Sequence, residues 1–155
     1  MSSLFSPRHP NFKYRLFLAL SLLAIVPLGL ALKFYPGPGR EWVNNSFGGV
    51  PYNIFWMLLL AFLVPKLSPK WNAWIVFVVI CAVEFLQLWH PPFLEAIRAT
   101  LMGRLVLGTF FTWSDFPYYA IGCLAGWWWL RFLQHQALRS HLNRAIASEE
   151  SEGNH

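Results

Sequence analysis

Long apolar stretches, each about as long as a bilayer is thick, dominate this sequence and decide what it can fold into. A bilayer core is crossed by roughly 20 predominantly apolar residues. The first such run extends from Tyr14 to Leu32 and carries no charge after Arg15. Three more follow, over about 47–64, 72–89 and 117–133. The first run follows Arg8, Lys13 and Arg15 as a secretory signal would. It is longer than a signal's apolar core, however, and leads into Lys33-Phe34-Tyr35-Pro36 rather than a small-residue cleavage site, which points to a retained anchor. Pro36-Gly37-Pro38-Gly39, Pro65-Lys66-Leu67-Ser68-Pro69 and His90-Pro91-Pro92 are turn chemistry between the runs.

Composition agrees. Charged residues make up 12% of the 155 and hydrophobic ones 56%, too little polar material to cover a soluble domain, in which about a quarter are charged. The net charge of +5 does not indicate nucleic acid, because the basic residues flank apolar runs and form no stripe or RNA-binding motif.

The stretch Phe93–Trp113 is apolar enough to suggest a fifth crossing, yet it carries Glu95, Arg98 and Arg104. Each costs about 2.5–3.5 kcal/mol at a helix centre in a bilayer. Gly103 and Gly108 weaken it further. An interfacial helix followed by a re-entrant apolar stretch costs less where the bent backbone is buried in protein. With four spans, Arg8, Lys13, Arg15, Lys66, Lys70, Arg131, Arg139 and Arg144 fall on one side, and Lys33, Arg40, Arg98 and Arg104 on the other. That asymmetry places both termini in the cytoplasm. Trp71, Trp74, Trp89, Trp113 and Trp127-Trp128-Trp129 stand at the expected interfaces, whereas Trp56 lies inside its span and reads as packing. The expected fold is therefore an all-α, four-helix transmembrane bundle with an interfacial or re-entrant segment between the third and fourth helices. One bundle spans 1–133, and a cytoplasmic tail over 134–155 forms a short helix to about Ala147 and then a disordered end.

Polar residues inside this apolar background are the candidates for function. Glu84 and Gln87, three apart, share a face of the third span, with Glu84 roughly 7 Å below its outer end at 1.5 Å per residue. Asp115 and Tyr119, four apart, open the fourth, and Gly122 and Gly126 continue the same stripe with a spacing that permits close helix approach. Arg98 and Arg104 lie in the connecting segment, and Tyr52 and Asn53 reach the same depth from the second span. A buried acid must be paired or protonated. The simplest pairing is Glu84 and Asp115 with Arg98, with Arg104 as a further partner.

Two readings are open: the cluster staples the connecting segment onto the bundle, or it lines an outward-facing pocket for a polar or phosphorylated lipid headgroup. Other signals are weaker. His90 reads as an interface residue, His135 and His141 have no metal-ligand spacing, and Cys81 and Cys123 read as packing residues. Ser114-Asp115 lacks a matched histidine, and the glycine pairs lack the Lys-Ser/Thr of a phosphate loop. No metal or cofactor is expected.

The order Glu84-x-x-Gln87, Arg98, Leu107-Gly108-x-x-Phe111-x-x-x-Asp115-x-x-x-Tyr119-x-x-Gly122 resembles a family of small bacterial membrane proteins, domain of unknown function 2809, sometimes tagged as ribosomal-maturation-like. It is similar, more distantly, to VanZ-like proteins linked to teicoplanin resistance. The resemblance covers roughly Phe47 to Trp129. It implies a four-helix bundle with an extracytoplasmic polar site at Glu84, Gln87, Arg98, Asp115 and Tyr119. Where the family commonly has Gly-Asp near the start of the second span, this chain has Gly48-Gly49, and Asn53 partly replaces the acid. The ribosomal tag has no physical support in the residues.

The expected function is an accessory, resistance-like role in the bacterial inner membrane, binding an anionic or lipid-linked envelope molecule at the outer slot. The alternatives are a membrane-embedded enzyme acting on a lipid-linked substrate, for which Glu84 and Asp115 supply acid and base, or a structural subunit of a larger membrane complex. Without a nucleophile beside a base, binding is favoured over catalysis.

Overall fold

The computed structural model describes residues 12–108 and 111–152, and among these every regular element is helical. Arg8 and the last three residues of the tail lie outside this range. Helix α1 (Phe12–Lys33) is followed by α2 (Arg40–Trp42), α3 (Gly49–Leu63), α4 (Pro69–Leu86), α5 (Pro92–Arg98), α6 (Leu101–Leu107) and α7 (Asp115–Glu152). A five-residue π turn, Val43–Phe47, joins α2 to α3, closed by Gly48 N–H donating to the Val43 carbonyl at 2.9 Å. Gly48 itself has helical dihedrals, so the chain winds almost without interruption from Arg40 to Leu63. This lengthens a helix that alone is 15 residues, shorter than a bilayer requires.

Local chemistry sets the other boundaries. Pro69 and Pro92 occupy the first turns of α4 and α5 behind extended residues Ser68 and Pro91, where a missing N–H costs nothing. Thr100 caps α6 by accepting from Gly103 N–H at 3.0 Å. A Cβ on Gly103 would run into the Ile97 carbonyl, so the tight α5–α6 joint needs glycine there.

The four long helices pack side by side, with α3 against α1, α4 and α7. Neighbours alternate in direction, because the last turns of α1 and α4 and the first turns of α3 and α7 surround one cavity. The core comprises Leu18 of α1, Met57, Leu58 and Ala61 of α3, Val76 and Ile80 of α4, and Cys123, Leu130, Leu133 and Ala137 of α7. Gly122 and Gly126 do carry the closest approach: a Cβ on either would press on Asn53 or Met57 of α3. Buried Asn72 ties α4 to α3 by donating to the Met57 carbonyl at 3.1 Å.

Helices α1 and α4 are long and apolar enough to cross a membrane. Only 6% and 22% of their apolar windows are buried within the fold, less than a core helix of a soluble protein buries. Leu20, Leu23 and Leu28 of α1 and Ile75, Val78 and Val79 of α4 face outward.

Two expectations are corrected. The boundary at 133/134 is not one in the fold: α7 continues unbroken, and Ala137 is buried in the same core cluster as Tyr14 of α1. Tyr14, in the first turn of the described α1, supplies the surface that this stretch of α7 packs on. The helix also passes Ala147 and reaches Glu152, so no break precedes the acidic end. The expected crossing 72–89 is shifted as well: helix α4 starts at Pro69 and closes at Leu86, with Gln87, Leu88 and Trp89 in tight turns beyond it.

Candidate functional site

Glu84 is the centre of the polar cluster. It lies in the last turn of α4 and is 1% exposed. Tyr119 of α7 donates its hydroxyl to Oε2 at 2.6 Å, and Gln87 donates its amide to the same oxygen at 3.2 Å. Thr112 donates its backbone N–H to Oε1 at 2.9 Å. One carboxylate thus joins α4, α7 and the segment that leads into α7. Its contacts are all donors, which suits an acceptor-only group. Phe85, Phe111, Trp113 and Phe116 pack ring against ring around Thr112, with centroids 5.0–6.3 Å apart, and screen this joint.

Asn53, fully buried, donates to the Tyr119 carbonyl at 2.8 Å. It fastens α3 to α7 behind the tyrosine ring, which lies against Gly49. Tyr52 donates to the Val106 carbonyl at 2.6 Å, holding the end of α6 over α3. Asp115 begins α7 and is 8% exposed. Gln87 sits so close to Gly108 that a Cβ there would collide with the amide.

Arg98 requires a correction. It does not pair with Glu84 or Asp115: its guanidinium donates to the carbonyls of Leu86 at 2.9 Å and Trp89 at 3.1 Å, and to Glu95 at 3.2 Å. Glu95 is its one ion-pair partner among the described residues. The Leu86 carbonyl, at the end of α4, otherwise accepts only the turn N–H of Trp89, and a buried cation there adds a second donor and complements the helix dipole. This competitor for the guanidinium sits three to twelve residues from Arg98 in the chain, nearer than Asp115. Arg98 is therefore a cap that fastens α5 under α4.

A cavity of about 450 Å³ lies between the last turns of α1 and α4 and the first turns of α3, roofed by α6. Its walls are apolar (Ile25, Val26, Leu30, Phe55, Ile80, Val83), and Glu84, Gln87, Asp115 and Tyr119 meet at one side. Arg104 of α6 and Lys33 of α1, both exposed, complete the lining. Of the expected residues, Glu84, Gln87, Arg104, Asp115 and Tyr119 reach this space; Arg98 and Asn53 do not line it and act behind it. Lys33 and Tyr52 belong to it as well. Lys33 carried no signal beyond its place in the charge count, because nothing local marks the end of α1 as a wall.

Helix α1 packs on α3, α7 and the π turn, but nowhere do its backbone and those of α4, α5 or α6 come together. The cavity is thus lined by α1 on one side and by α4 and α6 on the other, with their backbones standing apart. Among the described residues, no three His, Cys, Asp or Glu side chains are grouped to hold a metal ion.

No solved structure matches the chain. The family model described as "Protein of unknown function (DUF2809)" matches residues 39–123, which run from the start of α2 into α7 and include the whole Glu84 cluster. With more than half of its length matched, the chain belongs to that family.

Proposed function

We propose that this is a four-span protein of a bacterial inner membrane that binds an anionic or polar, lipid-linked envelope molecule in an extracytoplasmic slot. The single observation that carries this reading is the cavity beside Glu84: its walls are apolar, its end is polar, and the backbones of α1 and α4 stand apart where a bilayer would meet it. Arg104 and Lys33, the cations in its lining, take the phosphate-facing role. The outward apolar faces of α1 and α4 suit lipid rather than water. In this frame α5 and α6 lie at the outer interface, and both termini are cytoplasmic. Binding is favoured over catalysis because three donors already engage Glu84, the best-placed base. An accessory role fits this, as in the VanZ-like proteins that the chain distantly resembles.

Topology is tested by reporter fusions after Pro38 and after Arg144. A periplasm-active reporter is expected to work at the first and fail at the second. Activity at the C-terminal fusion would overturn the four-span arrangement.

The slot is tested by native mass spectrometry of the protein extracted with its own lipids. A lipid is expected to co-purify with the wild type and to be lost, by about tenfold or more, in Arg104→Ala, the change expected from removing one charge-assisted phosphate contact. Arg104 is exposed and forms no ion pair among the described residues, so this variant is expected to fold. A folded wild type that carries no lipid would leave the cluster as a structural fastening alone.

A further inference from the structure

Resting on the lipid-slot reading, we infer that the headgroup bound there is a zwitterion that carries a primary ammonium beside its phosphate, a phosphoethanolamine-type lipid, rather than a purely anionic one. The lining brings together formal charges of both signs: Glu84 and Asp115 against Lys33 and Arg104. These cancel. Charge in a low-dielectric site must be balanced locally, so a net-neutral cavity accepts a net-neutral dipolar headgroup at less cost than a net anion.

Hydrogen-bond capacity points the same way. The Gln87 amide oxygen is buried with no partner, in a side chain only 6% exposed that lines the cavity. Its amide nitrogen is committed to Glu84, which leaves the oxygen as an acceptor without a donor. Glu84 accepts three hydrogen bonds where a carboxylate has about four acceptor sites. The Gln87 oxygen and the remaining acceptor site of Glu84 can each take a donor, and a –NH₃⁺ group brings three. A quaternary ammonium brings none, and a glycerol headgroup brings neutral hydroxyls without the positive charge. Arg104 of α6 and Lys33 of α1, on the two walls of the cavity, are donors only and suit the phosphate. The separation of the α1 and α4 backbones lets acyl chains remain in the bilayer while the headgroup enters.

The test uses full-length protein in nanodiscs with equal amounts of phosphatidylethanolamine, phosphatidylcholine and phosphatidylglycerol, reading the lipids that stay bound after transfer to detergent. Phosphatidylethanolamine is expected to be retained about tenfold over each of the others, a ratio that one charge-assisted hydrogen bond supports. Gln87→Leu is expected to narrow that preference, while Arg104→Ala reduces retention of all three. Preferential retention of phosphatidylglycerol overturns this inference and leaves the slot itself standing. Equal retention of the choline and ethanolamine lipids also overturns it, since the N–H groups would then contribute nothing. If no lipid is retained, the slot fails and the inference with it. Water-soluble glycerophosphoethanolamine is expected not to displace the lipid; displacement would assign the site to a soluble headgroup and overturn the lipid commitment. Because the wild-type preference alone decides the matter, a poorly folded Gln87→Leu does not shield it.

Discussion

Glu84→Leu is expected to lower the melting temperature of the detergent-solubilised protein by roughly 6–12 °C, the shift that about 3 kcal/mol produces in a chain of this size. The substitution introduces an apolar side chain of roughly similar size and removes the acceptor for the Tyr119 hydroxyl, the Gln87 amide and the Thr112 N–H. Each stranded buried donor costs about 1–3 kcal/mol, and the lower end for all three gives the stated figure. Double-mutant cycles then separate two wirings of the cluster. Glu84 and Tyr119 share a 2.6 Å hydrogen bond, so Glu84→Leu and Tyr119→Phe are expected to couple by about 1 kcal/mol or more. Glu84 and Arg98 share no partner, and Glu84→Leu with Arg98→Met is expected to be additive within about 0.5 kcal/mol. Strong coupling of Glu84 to Arg98 would restore the ion pair suggested by their charges alone.

The second large effect is expected at a glycine. Gly108 has φ 67° and ψ −177°, a backbone region essentially restricted to glycine, with a cost of about 1–3 kcal/mol for other residues. It also lies against the Gln87 amide, so the Cβ of Gly108→Ala must displace that group and loosen its hold on Glu84. Strain and overpacking together are expected to cost about 2 kcal/mol or more. Gly39→Ala is the matched control. Gly39 also has a positive φ but lies in the left-handed helical region, at φ 72° and ψ 16°, and nothing lies within 4 Å of its Cβ position, so only that region's conformational cost of about 1–2 kcal/mol applies. Gly108→Ala should melt lower than Gly39→Ala and also lose bound lipid. Equal effects would mean that the close approach of Gly108 to Gln87 does not matter.

Much of this architecture is written locally. The helical content, the prolines and glycines at the joints, and the placing of Glu84 with Gln87 and of Tyr119 with Asp115 follow from spacing within one segment. So does the smooth stripe of Gly122 and Gly126, because three- and four-residue intervals return to one helical face whatever surrounds them. That Phe93–Trp113 forms no single long helix was legible too, since Glu95, Arg98 and Arg104 make one too costly there, but the split into the two short helices α5 and α6 was not.

What only the tertiary structure decided is which partner each polar group takes. Arg98 had acids available by charge, yet it sits on the carbonyls of Leu86 and Trp89, since those acceptors are near it in three dimensions and keep lone pairs to offer beyond the turn bond from Trp89 N–H to Leu86. Glu84 takes a backbone N–H from Thr112, an atom that no sequence pattern marks. Lys33 joins the cavity because α1 stands away from α4, and the continuation of the core to Ala137 depends on Tyr14 of α1. Periodicity records which residues share a face of one helix; hydrogen-bond choice and empty space depend on distances between helices, to which residues far apart in the chain contribute together.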